Sequence, residues 1–204
     1  MDISEEDLAK RWKSKKASVY NLRDNIDRLK RKVRQDLVTL DCNEKDRLTA
    51  LVIRVMVNTS ERIGNESSAE NGHFGITQFK NKHVSIIGNR VILNYVGKSG
   101  VDHSKTFVDE TAATMLNQLK KRNNDFLFTT EDGFRIKPDR VNRYLNKFNA
   151  KSKDIRGFNA NRMMVMELNR IGKVSDEKQR PKTFNAALRK IAAKIGHGAS
   201  TLRT

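Results

Sequence analysis

Leu48, Leu51, Val52 and Val55 recur at i, i+3, i+4 and i+7, the spacing that lines up apolar side chains along one stripe of an α-helix. A helix striped in this way has to bury that face, so the chain must supply something to cover it. Just upstream, Leu22, Ile26, Leu29, Val33 and Leu37 form a second stripe of the same period, set among Arg and Lys. Asp41-Cys42-Asn43-Glu44 interrupts the two, and Asn43 is a suitable N-cap for the helix that begins there. Residues 5–37 are therefore expected as helix, in one piece or two, and residues 44–57 as a second helix packed against it. That second helix runs into Asn58-Thr59-Ser60-Glu61 and then Arg62-Ile63-Gly64-Asn65-Glu66. An ordinary glycine-capped helix end with solvated charges accounts for this stretch. So does a helix that leaves a core in order to hold something polar.

Downstream the period changes. Residues 67–75 are polar and hold two glycines, which reads as loop. Residues 83–87 and 90–96 flank Gly88-Asn89 as a β-hairpin with a two-residue turn, and residues 104–108 extend it as a third strand. Between the second and third strands, Gly97-Lys98-Ser99-Gly100-Val101 is a tight turn presenting a lysine. Gly-Lys-Ser invites a phosphate-loop reading, but the upstream glycine which that motif requires is replaced by Ile92. From Glu110 helical stripes return. One holds Ala112, Met115, Leu116 and Leu119, and another Val141, Tyr144, Leu145 and Phe148. The connector between them carries Phe126, Leu127 and Phe128 as expected core. Two further helices carry Met164, Leu168 and Ile171, then Phe184, Leu188, Ile191 and Ile195, with a polar gap at residues 172–181. The fold class is mainly α with a small antiparallel β-sheet.

Forty-one Lys and Arg against 24 Asp and Glu leave a net charge of +17, which points to a polyanionic partner. Nucleic acid fits better than a membrane surface, because the cations are spread over several elements instead of one amphipathic helix with aromatic anchors. No run of apolar residues is long enough to span a bilayer, and the first residues lack the basic-then-apolar order of a secretion signal. A single cysteine excludes an internal disulfide framework and a Cys-rich zinc site. An intracellular protein is the simpler inference.

No metal-ligand cluster, Ser-His-Asp arrangement or Cys-His pair is apparent. What remains is a set of cations at expected element ends: Arg62 after a helix, Lys98 in a turn, Arg156 before a helix and His197 after one. Each alone is adequately explained as a surface charge. Together they suit phosphoryl transfer. A phosphodiester attacked in line gathers negative charge on its non-bridging oxygens, which preorganised Arg and His donors stabilise. The leaving sugar oxygen needs a proton, which a lysine or arginine in a suitable environment can donate. A tyrosine is the natural nucleophile for a covalent route.

Five segments resemble, in order, the motifs of type IB DNA topoisomerases, especially the compact poxvirus and bacterial kind. Arg62-Ile63-Gly64-Asn65-Glu66 is similar to the first-arginine motif, and residues 75–83 to the run leading into the hairpin. Residues 96–103 are similar to the turn bearing the catalytic lysine, residues 153–161 to the second-arginine segment, and residues 195–200 to the Gly-His stretch before the nucleophile. The resemblance implies the fold shared by those topoisomerases and the tyrosine recombinases. It covers residues 1–204, with 1–40 as a helical N-terminal segment and 41–204 as core. It implies Arg62, Arg156 and His197 on the scissile phosphate, Lys98 as general acid and Asn161 as support for the second arginine. A 3′-phosphotyrosyl link would keep the bond energy, so neither ATP nor a metal is implied. Double-stranded DNA is the implied partner, with an intracellular location alongside it and a monomeric chain. Lys80, Lys82, Lys153, Arg162 and Arg203 are candidate backbone contacts, each equally well read as a solvated charge.

One departure stands out. The family's tyrosine follows the Gly-His stretch within a dozen residues, whereas Tyr20, Tyr95 and Tyr144 all fall elsewhere. The expectation is a chain that lacks both the nucleophile segment and the N-terminal clamp domain, binding DNA without cleaving it. A tyrosine recombinase is the nearest alternative, although its His-x-x-Arg box has no counterpart, Lys153 standing three residues before Arg156. A DNA-binding protein that keeps the fold without the chemistry is the other.

Overall fold

The computed structural model describes residues 5–196. Helix α1 (Glu5–Val38) is one uninterrupted helix, and its apolar stripe from Leu22 to Leu37 is buried throughout. It lies along α2 (Glu44–Thr59), whose Asn43 cap accepts the Asp46 N–H at 2.9 Å. The turn between them is held by Arg47, whose guanidinium donates to the carbonyls of Thr39, Leu40 and Cys42. Beyond its expected stripe, α2 also buries Ala50, Ile53 and Met56. An α-helix that is apolar nearly all round belongs in the middle of a fold. Helix α1, three later helices and the sheet all pack on α2.

Residues expected as loop after Glu66 begin instead with a short helix, α3 (Glu66–Glu70). Asn65 nucleates it by accepting the Ser68 N–H at 2.8 Å. The sheet follows as β1 (Val84–Ile87), β2 (Arg90–Val96) and β3 (Asp102–Val108), antiparallel in the order β1-β2-β3. The third strand starts two residues earlier than expected. Its register pairs Val96 with Asp102 and Tyr95 with His103, so the Lys98 turn projects directly from the ladder. Helix α4 (Glu110–Lys121) is capped by Asp109, which also takes Arg54 at 2.7 Å and Asn58 at 2.9 Å, tying α4 to α2.

In the connector Leu127 and Phe128 are buried as expected, but Phe126 is only half-buried. The Arg135 guanidinium stacks 3.4 Å from its ring centroid and the Lys80 ammonium lies 5.6 Å away, so this ring is a platform for cations. Helix α5 (Pro138–Asn146) opens on proline, whose missing N–H costs nothing at a first turn. Helix α6 (Ser152–Ile171) starts earlier than its apolar pattern suggested, because Asp154 takes the Lys151 N–H at 2.8 Å and Asn142 takes that of Ser152 at 3.0 Å. Its buried face is Ile155, Arg156, Asn159 and Ala160, whereas Met164, Leu168 and Ile171 are half-buried. Helix α7 (Arg180–Ile195) packs on α6 through Ile191 and Ile195, while Phe184 is exposed. No helix among the described residues is long and apolar enough to cross a membrane.

Candidate phosphodiester pocket

The exit of α2 makes the first wall. Ser60 takes a left-handed conformation (φ 62°) and its N–H closes on the Met56 carbonyl at 2.8 Å, so the helix is capped by Ser60 and not by Gly64. The chain then runs past Glu61, which is wholly buried, to the half-buried Arg62. Residues 62–64 are pinned by the segment before the hairpin. Ile76 N–H donates to the Arg62 carbonyl at 2.9 Å, and Thr77 N–H to that of Ile63 at 3.0 Å. Gly64 admits no side chain, since at φ +95° a Cβ there would sit 1.5 Å from the Gln78 Oε1. The ordinary helix-cap explanation of Arg62 to Glu66 is thereby overturned.

The second wall is the turn between β2 and β3. The N–H of Gly97 donates to the Val101 carbonyl at 2.7 Å, Ser99 is left-handed at φ 65°, and Lys98 stands exposed on the lip. The third wall is the first two turns of α6, with Lys153 and Arg156 one turn apart. Arg156 thus lies within the helix, where it was expected before one. Its guanidinium donates to the Ser60 carbonyl at 2.6 Å and the Ile195 carbonyl at 3.0 Å, joining the ends of α2 and α7. Burial, with the neighbouring Arg62 charge second, lowers its pKa to about 10, so it stays cationic at neutral pH.

These walls enclose a cavity of about 420 Å³. Arg62, Lys98, Lys153 and Arg156 line it together with His73, and among the described residues no carboxylate does. Neither the Arg62 guanidinium nor the Lys98 ammonium has a hydrogen bond or ion pair among the described residues. Converging cations in a cavity that no carboxylate lines make a site for an anion with several acceptor oxygens. His73 has no place in the sequence motifs and was missed. It arrives here through the turn after α3, where its N–H bonds the Ser68 carbonyl at 2.8 Å.

Other expected residues lie elsewhere. Asn161 is exposed, and the side chain that steadies this corner is Asn159, donating to Ser60 Oγ and the Val57 carbonyl, both at 2.9 Å. Lys80 is on the Phe126 platform, and Lys82 and Arg162 are exposed outside the pocket. His197 and Arg203 lie outside the described residues. Of the three tyrosines, Tyr95 is buried and donates to Glu61, Tyr144 is buried and donates to Asp36 at 2.7 Å, and Tyr20 is exposed on α1. Burial, with the adjacent carboxylate, pushes the pKa of both Tyr95 and Tyr144 far up. None of the three lines the cavity.

The family model of the eukaryotic DNA topoisomerase I catalytic core matches residues 8–204. The chain belongs to this family. DNA topoisomerase 1B of Acanthamoeba polyphaga mimivirus is 29% identical over 136 residues, 61% of this chain and 40% of that protein. In overall shape the chain is similar to XerH site-specific recombinase. The likeness is a TM-score of 0.53 at 16% identity with the pre-cleavage complex on difH, and 0.52 at 15% with the post-cleavage complex. It covers 86% and 85% of this chain, but 48% and 46% of the recombinase chains. The chain therefore spans less than half of each of these relatives. At such identities the recombinase likeness speaks for the fold, which is the one that the topoisomerase motifs implied. The topoisomerase family supplies the context in which four cations meet around one cavity.

Proposed function

We propose that this chain is the strand-cleaving and rejoining core of a type IB DNA topoisomerase, holding one backbone phosphodiester of duplex DNA in the pocket. Arg62 and Arg156 take the non-bridging oxygens, with His197 as a further donor, and Lys98 serves the 5′ oxygen. In the forward step a tyrosine oxygen gives up its proton to water and attacks phosphorus, and the bond to the 5′ oxygen breaks, Lys98 supplying that oxygen's proton. In the reverse step the 5′ hydroxyl attacks, Lys98 takes its proton, and the tyrosine leaves. The phosphodiester energy is held in the phosphotyrosyl link throughout, so no ATP or metal enters the scheme. Asn159 steadies the Ser60 corner on which Arg156 rests. Lys153, beside Arg156, is positioned for a neighbouring backbone phosphate.

The supporting observation is the convergence of Arg62, Lys98 and Arg156 from three distant segments on a cavity that no carboxylate among the described residues lines. Because none of the chain's tyrosines lines that cavity, the 204-residue polypeptide is expected to bind duplex DNA and to rejoin an activated strand, but not to cleave. The test uses a nicked duplex with a 4-nitrophenyl ester of the 3′ phosphate facing a free 5′ hydroxyl. The hydroxyl attacks phosphorus and 4-nitrophenolate departs, reproducing the rejoining step without a protein tyrosine. The chain should accelerate joining in the presence of EDTA, and Lys98→Ala should remove most of the acceleration. Tight binding of this duplex with no acceleration would favour a DNA-binding protein that keeps the fold without the chemistry.

A further inference from the structure

Behind the pocket lies a buried cluster with no direct access to it. The His103 side chain is 2% exposed, stacks on Tyr95 with ring centroids 5.0 Å apart, and places Nδ1 3.2 Å from Glu61 Oε1. Its Nε2 is buried and has no partner among the described residues. Two backbone segments close on the ring. A Cβ at Gly97 would lie 2.7 Å from Nε2 and Cδ2, and one at Gly196 would lie 2.5 Å from Cε1. Gly97 immediately precedes Lys98, and Gly196 immediately precedes His197. Glu61 immediately precedes Arg62, and its carboxylate lies 4.0 Å from the Arg156 guanidinium. The same carboxylate accepts from Tyr95 and lies 3.6 Å from the Lys105 ammonium. Lys105 in turn donates to the Lys194 carbonyl at the end of α7.

We propose that His103, supported by Glu61 and Tyr95, is a positioning residue that sets the spacing of the three cation-bearing segments around the pocket and of the exit from α7. This rests on the reading of the pocket as a phosphodiester site. One edge of the imidazole fixes how close the Lys98 turn comes, and another fixes where the chain leaves α7. Its Nδ1 holds the carboxylate that orients Arg156 and anchors the backbone entering Arg62. Simple filling of the core would need a ring of this size, but not a ring that touches two glycines and a charged partner. Displacements of roughly 1 Å in such groups lower rates by about a hundredfold, while duplex affinity, spread over many phosphates, hardly changes.

The nicked 4-nitrophenyl duplex gives the test, with joining rate at saturating DNA, duplex affinity and thermal unfolding measured for each variant. His103→Ala should slow joining by about a hundredfold with affinity within about twofold of wild type. His103→Asn, which keeps a donor for Glu61 but not the ring, should recover part of the loss. Gly97→Ala is the second, independent variant, since φ −96° suits alanine and only the push against His103 is new. It too should slow joining without weakening binding, and it decides the matter if His103→Ala does not fold. Variants that unfold at lower temperature yet join at the wild-type rate while folded would overturn the positioning role and leave the pocket reading intact. A wild-type chain that joins nothing would remove the pocket reading and this role with it.

Discussion

Arg156 has the most to lose by substitution. It carries positive charge into the cavity while its N–H groups hold the Ser60 and Ile195 carbonyls. Arg156→Lys keeps the charge but not the planar fork, so rejoining should fall by about a hundredfold or more, with no compensating gain in affinity. A lysine variant that joins at the wild-type rate would show that charge alone suffices. Gly64→Ala should destabilise the fold by about 2 kcal/mol or more, from the strained backbone and the collision with Gln78. Urea unfolding measures this, and an unchanged midpoint would contradict it. His83 gives a pH signature. Burial, with nearby Lys82 and Lys80 adding, lowers its pKa to about 4 from 6.5, and Nδ1 accepts the Lys80 N–H at 3.1 Å. The unfolded chain binds this proton first, so the stability due to neutral His83 is complete above about pH 6.5 and is lost as pH falls toward 4. The unfolding free energy of wild type should decline through that window more steeply than that of His83→Gln. Parallel curves would count against it.

At the scale of elements, the stripes on α1 and α2 could be read directly, because helical period and burial coincide from Leu22 to Val55. Leu51→Ala on the central helix should cost about 3 kcal/mol in urea unfolding, as for other fully buried leucines. A cost below about 1 kcal/mol would mean that α2 is not the centre of the core. The hairpin was equally plain, since Gly88-Asn89 fixes a two-residue turn. The start of α6 was not, because polar bonds from Asp154 and Asn142 make it and no apolar period marks it. Phe126 was misplaced for a related reason: its ring is covered by Arg135 and Lys80, and an aromatic that packs under cations looks like core in a sequence. The motifs singled out Arg62, Lys98 and Arg156, which the fold brings to one cavity. They did not point to His73, which a fold-back after α3 brings in, or to the contact of Asn159 with Ser60, which depends on the rotation of α6.

For the whole molecule, a charge of +17 with a cavity lined by cations predicts duplex binding governed by counterion release. The logarithm of affinity should fall linearly with that of salt concentration, with a slope near −0.9 for each phosphate neutralised. Lys153→Ala should make that slope shallower by about one unit, whereas a slope unchanged within error would place Lys153 off the DNA. All of this turns on whether the converging cations hold one phosphate. A crystal structure of the chain with a nicked duplex carrying a 3′ phosphate tests this most directly. The phosphate should sit in the cavity with oxygens about 3 Å from the Arg62 and Arg156 guanidinium nitrogens and Lys98 facing the 5′ hydroxyl. A duplex bound with its nick on another face of the protein, and the cavity holding only solvent, would contradict the account.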